Sequence, residues 1–219
     1  MTEKIFAIYG ASGFGREVLP LAKDITQNKD AKLIFIDDEN KGVCNGIKIM
    51  QFDQFISLES KEKHVCLAIA DNKIRQYLFH KLEENNISHW SVSAKNSTIL
   101  NDCIVGENSI LAPFVTLTSN IRIGKSFQAN LYSYVGHDCR IGNFVTFAPA
   151  VKCNGNVKIE DNVYIGTGAI IKQGTSKKPL VIGEGAVIGM GAIITKNVPP
   201  GTKIVARPTK PLIRTGLGK

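Results

Sequence analysis

The stretch from Ile121 to Phe147 reads IRIGKSFQANLYSYVGHDCRIGNFVTF. Every sixth residue in it, Ile123, Ala129, Val135, Ile141 and Phe147, is apolar. Extended both ways, the row runs from Ile99 to Ile171, and twelve of its thirteen members are large apolar residues or Cys, with Ala129 the small one. A second row four places on is mostly small or β-branched: Cys103, Ser109, Val115, Ile121, Phe127, Ser133, Cys139, Val145, Val151, Val157, Val163, Ala169. Period six fits neither the 3.6 of a helix nor the alternation of a flat strand. It is the period of a parallel β-helix, in which six residues make a short strand and a turn, and three such units make a triangular coil. Each coil buries its edge against the next, so the array is stable as a stack.

The register slips over Lys172 to Val181 and resumes at Ile182, Ile188 and Ile194. The segment Lys172 to Leu180, rich in Lys, Gly, Ser and Thr, reads as a loop expelled from the coil, and its three lysines suit a basic flap over a ligand groove. Cys103, Cys139 and Cys153 fall on the inward rows and are expected to pack the core, not to serve as nucleophiles.

Outward from the repeat, the first 90 residues read differently. Lys4 to Tyr9 is a buried-strand pattern, Gly10-Ala11-Ser12-Gly13-Phe14-Gly15 follows at once, and Arg16 to Lys23 reads as helix. Strand, Gly-rich turn and helix open a Rossmann-like unit, where the turn lets a ligand approach the backbone and the helix N-terminus favours phosphate. Leu33 to Ile36 is a second strand ending in Asp37-Asp38, and Val65 to Ala70 a third, before a helix ending near Glu84. The G-x-x-G-x-G spacing departs from the dinucleotide fingerprint. Three strands in about 90 residues fit a mononucleotide or nucleotide-sugar site better. The chain is thus read as an α/β Rossmann-like domain over 1–90 and a parallel β-helix over 91–219, with residues 86–95 as the connector.

Charge follows that division. Residues 1–90 hold 12 Lys/Arg against 13 Asp/Glu, whereas the rest hold 15 against 6, which suggests a polyanionic ligand on the C-terminal half. Nucleic acid is one candidate, but the chain shows no recognised nucleic-acid module or stacking aromatics; coenzyme A, with its three phosphates, is the other. No apolar run approaches the roughly 18 residues of a membrane span, and the N-terminus lacks the pattern of a signal peptide, so a cytoplasmic protein is expected.

Of the four histidines, only His137 lies inside the repeat. It stands two places after the inward Val135, hence outward, beside the carboxylate of Asp138, near the middle of the stack. An imidazole so placed suits a general base near neutral pH. One His per chain in this domain does not suit a zinc enzyme of the carbonic anhydrase type, which needs three, so no metal is expected.

Taken together, Gly-Ala-Ser-Gly-Phe-Gly at 10–15, Ile36-Asp37-Asp38, Ala68-Ile69-Ala70-Asp71-Asn72 with Arg75, His137 to Gly142, Gly155-Asn156-Val157 and Val198-Pro199-Pro200-Gly201 make the whole chain resemble the bacterial nucleotide-aminosugar N-acetyltransferases and the related sialic acid O-acetyltransferases. That resemblance implies a left-handed coil and a homotrimer. It also implies transfer from acetyl-CoA to the amine of a UDP- or dTDP-linked amino-deoxysugar by direct attack. It puts the nucleotide near Gly13, Phe14, Gly15, Asp37, Asp38 and Ile69, the base at His137 with Asp138, and acetyl-CoA along Thr146, Gly155, Thr167, Met190 and Gly191, with the Gly155 N–H as oxyanion donor. Relatives often carry a second His where Thr146 stands, and Gly-x-Pro-Ala where this chain has Ala206-Arg207-Pro208-Thr209, so Arg207 is expected to supply a phosphate contact. O-acetylation of a sialic acid or similar sugar is the alternative chemistry. A non-catalytic scaffold is the alternative of another class, though it needs neither an outward His-Asp pair nor a basic loop.

Overall fold

The computed structural model describes residues 4–27, 31–60 and 62–206. The first unit is a six-stranded sheet. In chain order it comprises β1 (Lys4–Tyr9), α1 (Gly13–Thr26), β2 (Ala31–Ile36), β3 (Gly42–Cys44), β4 (Ile47–Met50), α2 (Phe52–Ile56), β5 (Lys63–Leu67), α3 (Asn72–Glu84) and β6 (Ser88–His89). The spatial order is β3-β4-β2-β1-β5-β6, parallel except for the β3–β4 hairpin. Past their first two residues its central strands are apolar because both sides are covered. Ile5, Ala7 and Tyr9 of β1 pack with Phe52 and Phe55 of α2 and with Leu78, Phe79 and Leu82 of α3. Phe6 and Ile8 pack with Val18 and Leu19 of α1, and with Val92 and Ile110 of the next unit.

From Val92 the chain winds a left-handed β-helix of two- and three-residue strands in three parallel faces. The first face has seven strands from Val92–Ser93 through Gln128–Ala129, Thr146–Phe147 and Tyr164–Ile165 to Lys203–Ile204. The second has six, from Thr98–Ile99 through Tyr134–Val135 to Ile193–Ile194, and the third five, from Ile104–Val105 to Leu180–Ile182. The corners turn on left-handed residues every six places, at Asp102, Asn108, Phe114, Asn120, Ser126, Tyr132, Asp138, Phe144, Ala150, Asn156 and Asn162. Asn and Asp fill six of these eleven positions, as their tolerance of positive φ predicts. Both sequence rows line one continuous core, from Leu111 to Val198. At the open N-terminal end of the stack Ile99 stays 48% exposed, because no earlier coil covers its face.

The expelled segment lies where the register slips, between Ile170–Ile171 and Leu180–Ile182. The connector is shorter than residues 86–95: β6 completes the first sheet against β5, and Val92–Ser93 already pairs with Ile110–Leu111. The hairpin β3–β4, helix α2 and β6 are too short to show a period in the sequence.

Candidate active site

Where the two units meet, side chains of the coil cap the free end of β5. Asn108 accepts from Leu67 N–H and donates to the Val65 carbonyl, while Gln128 donates to the Leu67 carbonyl. The joint is fixed by Arg75 of α3, which has no exposed surface. Its Nη1 donates to the carbonyls of Ile69 (2.7 Å) and Ala70 and to Gln128 Oε1 (3.2 Å); its Nη2 donates to the Phe144 carbonyl and Thr146 Oγ1 (2.9 Å each) and reaches Asn72 Oδ1. Every one of these acceptors is neutral. Burial pulls the guanidinium down to about 9, with the Asp71 charge opposing, and it stays cationic at neutral pH.

Beside this joint opens a cleft of about 300 Å³. One wall is the start of α1, at Gly13, Phe14 and Glu17; the other is the first face of the coil, at Gln128, Asn130, Thr146, Ala148, Tyr164 and Thr167. The Gly-rich turn forms that wall because α1 comes down directly on β1: a side chain at Gly15 would overlap the Gly10 carbonyl. The N-cap of α1, Ser12, makes no side-chain capping bond, so the helix end offers its positive pole to this region.

His137 lies elsewhere, on the corner between the second and third faces. Its side chain is half exposed, and Nδ1 is 2.7 Å from Asp138 Oδ2. A carboxylate only accepts, so Nδ1 carries the hydrogen and Nε2 of the neutral ring keeps its lone pair free. Asp138 can reach back because it is the left-handed residue of its corner, with φ 59°; its N–H is anchored to the Ser119 carbonyl and its Oδ1 accepts from Asn120 Nδ2. The hydrogen bond with His137 holds its carboxyl below the usual range, Asn120 adding to the effect and slight desolvation opposing it. One coil further on, Asn156 N–H donates to the His137 carbonyl, and Gly155 covers the ring: a Cβ there would stand 2.5 Å from Nε2. The buried Gly155 N–H has no hydrogen-bond partner among the described residues.

A family model described as the PglD N-terminal domain matches residues 5–82. The chain is 42% identical over 215 residues to GDP-perosamine N-acetyltransferase of Escherichia coli O157:H7, covering 96% of this chain and 97% of that protein. It belongs to the bacterial sugar acetyltransferase family. Among solved structures, WeeI from Acinetobacter baumannii AYE superposes with a TM-score of 0.91 at 50% identity, covering 94% of this chain and 99% of that one. The acetyltransferase domain of PglB from Neisseria gonorrhoeae FA1090, in complex with acetyl coenzyme A, shares the fold, with a TM-score of 0.82 at 24% identity over 96% of this chain and all of that one.

In this acetyltransferase the residues singled out from sequence fall into three places. Gly13, Phe14, Thr146 and Thr167 line the cleft together. His137, Asp138 and Gly155 share the second corner, while Met190 and Gly191 are exposed on the corner between the first and second faces. A single chain therefore does not gather the expected acetyl-CoA contacts on one surface. Asp37 and Asp38 are absent from the cleft lining, and their carboxylates are engaged within the first unit. Asp37 accepts from the N–H groups of Ala11, Glu39 and Asn40, and Asp38 from Tyr9 Oη and Phe52 N–H. Burial alone raises the Asp37 carboxyl, but those N–H groups outweigh it and hold it low. The Ile69 carbonyl holds Arg75. The hydroxyl of Thr146 accepts from Arg75 and donates to Asn72 Oδ1 at 2.9 Å, so it is tied into the joint while its residue lines the cleft wall. Gln128 and Asn130 escaped the sequence reading because an outward amide on a strand carries no periodic signal. Arg207 lies outside the described residues.

Cys139 and Cys153 are fully buried and both point at the Asn154 carbonyl, as core thiols do. Glu83, His89 and Glu107 bring potential metal-ligand atoms within 4.8 Å of one another, and each of the three already has a partner within the protein. The Asn108 amide, fixed by Leu67 and Val65, donates to His89 Nδ1, which leaves the hydrogen on Nε2; the Lys125 ammonium already bridges both carboxylates. Among the described residues no helix is long and apolar enough to cross a membrane.

Proposed function

We propose that this acetyltransferase carries an acetyl group from acetyl-CoA to the amine of a GDP-linked amino-deoxysugar, with His137 as general base. The observation that carries the mechanism is the His137–Asp138 pair with a free Nε2 beneath Gly155. The substrate class is supported by the name of the 42%-identical relative, which favours GDP over the UDP or dTDP that the motifs suggested. The acetyl donor is supported by the acetyl coenzyme A complex of the gonococcal domain.

The sugar amine attacks the thioester carbonyl. Nε2 of His137 takes a proton from the nitrogen, the carbon–sulfur bond breaks, and that proton passes to the departing thiolate, giving the amide and free coenzyme A. Asp138 keeps Nδ1 protonated and stabilises the imidazolium that forms. The unpartnered N–H of Gly155, beside Nε2, suits a donor to the tetrahedral oxyanion. The nucleotide belongs in the cleft at Gly13 and Phe14, where the open end of α1 and the buried charge of Arg75 favour phosphate.

Because the cleft and His137 occupy different corners of one coil, the site is completed by a neighbouring copy, and we infer a homotrimer. Phe114 and Tyr132, on the corner between the first and second faces, support this: their rings stack at 4.9 Å while 51% and 62% exposed. Light scattering is expected to give three times the mass of one chain; a monomer that acetylates at full rate would overturn the shared site.

The test of the reaction is a panel of GDP-, UDP- and dTDP-linked amino sugars with acetyl-CoA, followed by thiol release. Turnover confined to a sugar hydroxyl would replace it with O-acetylation. A finer check addresses Gly155. Its alanine variant forces the imidazole aside while leaving the outer surface of the coil unchanged, and a shift of about 1 Å at the base is expected to lower kcat roughly 10²-fold. Wild-type kcat in Gly155→Ala would show that the ring position is not critical.

A further inference from the structure

Gly155 meets two demands that pull against each other. It has to be glycine, because a Cβ would stand 2.5 Å from Nε2 of His137. Glycine is also the residue whose backbone turns most freely, and here it carries the N–H read as the oxyanion donor. The aim of that N–H therefore has to be set by its neighbours. The space next to it is kept clear by Gly136 one coil below, where a Cβ would come within 2.6 Å of the Gly155 nitrogen.

That N–H belongs to the peptide between Asn154 and Gly155. The carbonyl of the same peptide turns inward and accepts from the buried thiols of Cys139 at 3.2 Å and Cys153 at 3.7 Å. A trans peptide is planar and sets its N–H opposite its C=O, so an inward carbonyl means an outward N–H. On the far side of Gly155, its carbonyl accepts from Gly174 N–H at 3.0 Å, and Asn156 N–H donates to the His137 carbonyl at 2.8 Å. On the near side the peptide is held through Asn154. Its N–H and its Nδ2 both donate to the Ile171 carbonyl, at 3.3 and 2.8 Å. A carbonyl only accepts, so Nδ2 faces Ile171 and Oδ1 faces away from it, where Tyr134 Oη donates at 2.9 Å.

Tyr134 stands on the second face, part-buried, in the strand that runs directly into the His137 corner and pairs with Lys152–Cys153 of the next coil. One short strand thus reaches the coil above at two points. Tyr134 grips the side chain of Asn154, and His137 lies under Gly155. The base and the donor are thereby tied to the same piece of backbone. Without the hydroxyl, the Asn154 amide keeps only the Ile171 carbonyl and is free to turn about that contact. The peptide that follows it then loses its restraint on this side, and a displacement of a few tenths of an ångström at an oxyanion donor is costly.

We propose that Tyr134 is a positioning residue for the acetyl transfer: through Asn154 it aims the Gly155 N–H at the oxygen of the tetrahedral intermediate. This rests on the reading of acetyl-CoA as acetyl donor, His137 as base and the Gly155 N–H as oxyanion donor. The test is made on the full chain with Tyr134→Phe, which removes only the hydroxyl. It is expected to lower kcat roughly 10-fold, with KM for both substrates, the shape of the pH–rate profile and the melting temperature unchanged. Asn154→Ala should lose at least as much. The double variant Tyr134→Phe/Asn154→Ala should lose no more than Asn154→Ala alone, because the hydroxyl acts only through the amide. The spectroscopic readout is difference infrared on the complex with carbonyl-labelled acetyl-CoA. In the wild-type chain the thioester C=O band is expected below that of free acetyl-CoA, and in Tyr134→Phe part of the way back towards it. A band that stays at the wild-type position in Tyr134→Phe would overturn the positioning role, whatever happens to the melting temperature. Additive losses in the double variant would also overturn it, by giving the hydroxyl an effect of its own. A wild-type band at the free position would instead remove Gly155 as the donor, and the role of Tyr134 with it.

Discussion

Replacing His137 by alanine is expected to lower kcat by about 10²–10⁴, the usual share of a general base, with little change in KM for either substrate. The argument is geometric before it is electrostatic. Asp138 fixes the ring through Nδ1, so the lone pair on Nε2 faces the space under Gly155, where it can take a proton. The side chain is half exposed and its truncation opens no cavity in the core, so the variant should keep the wild-type melting temperature. Single-turnover thiol release with saturating acetyl-CoA measures the chemical step. Turnover within a few-fold of wild type, in a variant that melts normally, would falsify the assignment of the base.

Arg75→Met is expected to produce the largest loss of stability of any single change at the joint, at least about 3 kcal/mol. The substitution removes a buried charge, which by itself is favourable, and keeps most of the volume. It also strands the Phe144 carbonyl, Gln128 Oε1 and Thr146 Oγ1, all on buried residues, and the carbonyl of the partly buried Ile69. Each orphaned acceptor costs on the order of 1–3 kcal/mol, so several outweigh the relief of desolvation. Because these bonds span α3 and three coil positions, the variant should also lose cooperativity between the two units. Urea unfolding followed by tryptophan fluorescence reports this directly, since Trp90, the single tryptophan, packs on Phe6 at the connection. An unchanged urea midpoint would mean that the network is incidental. Arg75→Lys, which keeps the charge but loses the two-pronged donor, should fall between.

How much of this was legible in the residues differs from element to element. The inward row from Ile99 and its companion from Cys103 specified the coil, because burial at every sixth position is a direct consequence of a triangular section. The loop at 172–179 announced itself by breaking that row. Helix α1 and its Gly-rich turn were readable because backbone approach at Gly10 and Gly15 leaves no room for side chains. His137 stood out as the imidazole of the coil, and its neighbour Asp138 occupies a corner that favours Asp or Asn. The partners of Asp37 and Asp38 were not legible: an acid at a strand end looks the same whichever N–H groups the fold brings to it.

By itself the sequence determined the local matters here: strand period, turn chemistry, inward and outward sides, and the one outward imidazole of the coil. Those follow from steric limits and hydrophobic burial, which act over a few residues. Only the tertiary structure decided that Thr146 is spent on Arg75, that Gly13 faces Thr167 across a cleft, and that the cleft and His137 sit on different corners. These depend on which distant backbones come to share one hydrogen-bond network, and a buried polar group takes whatever partner the packing brings within 3 Å of it.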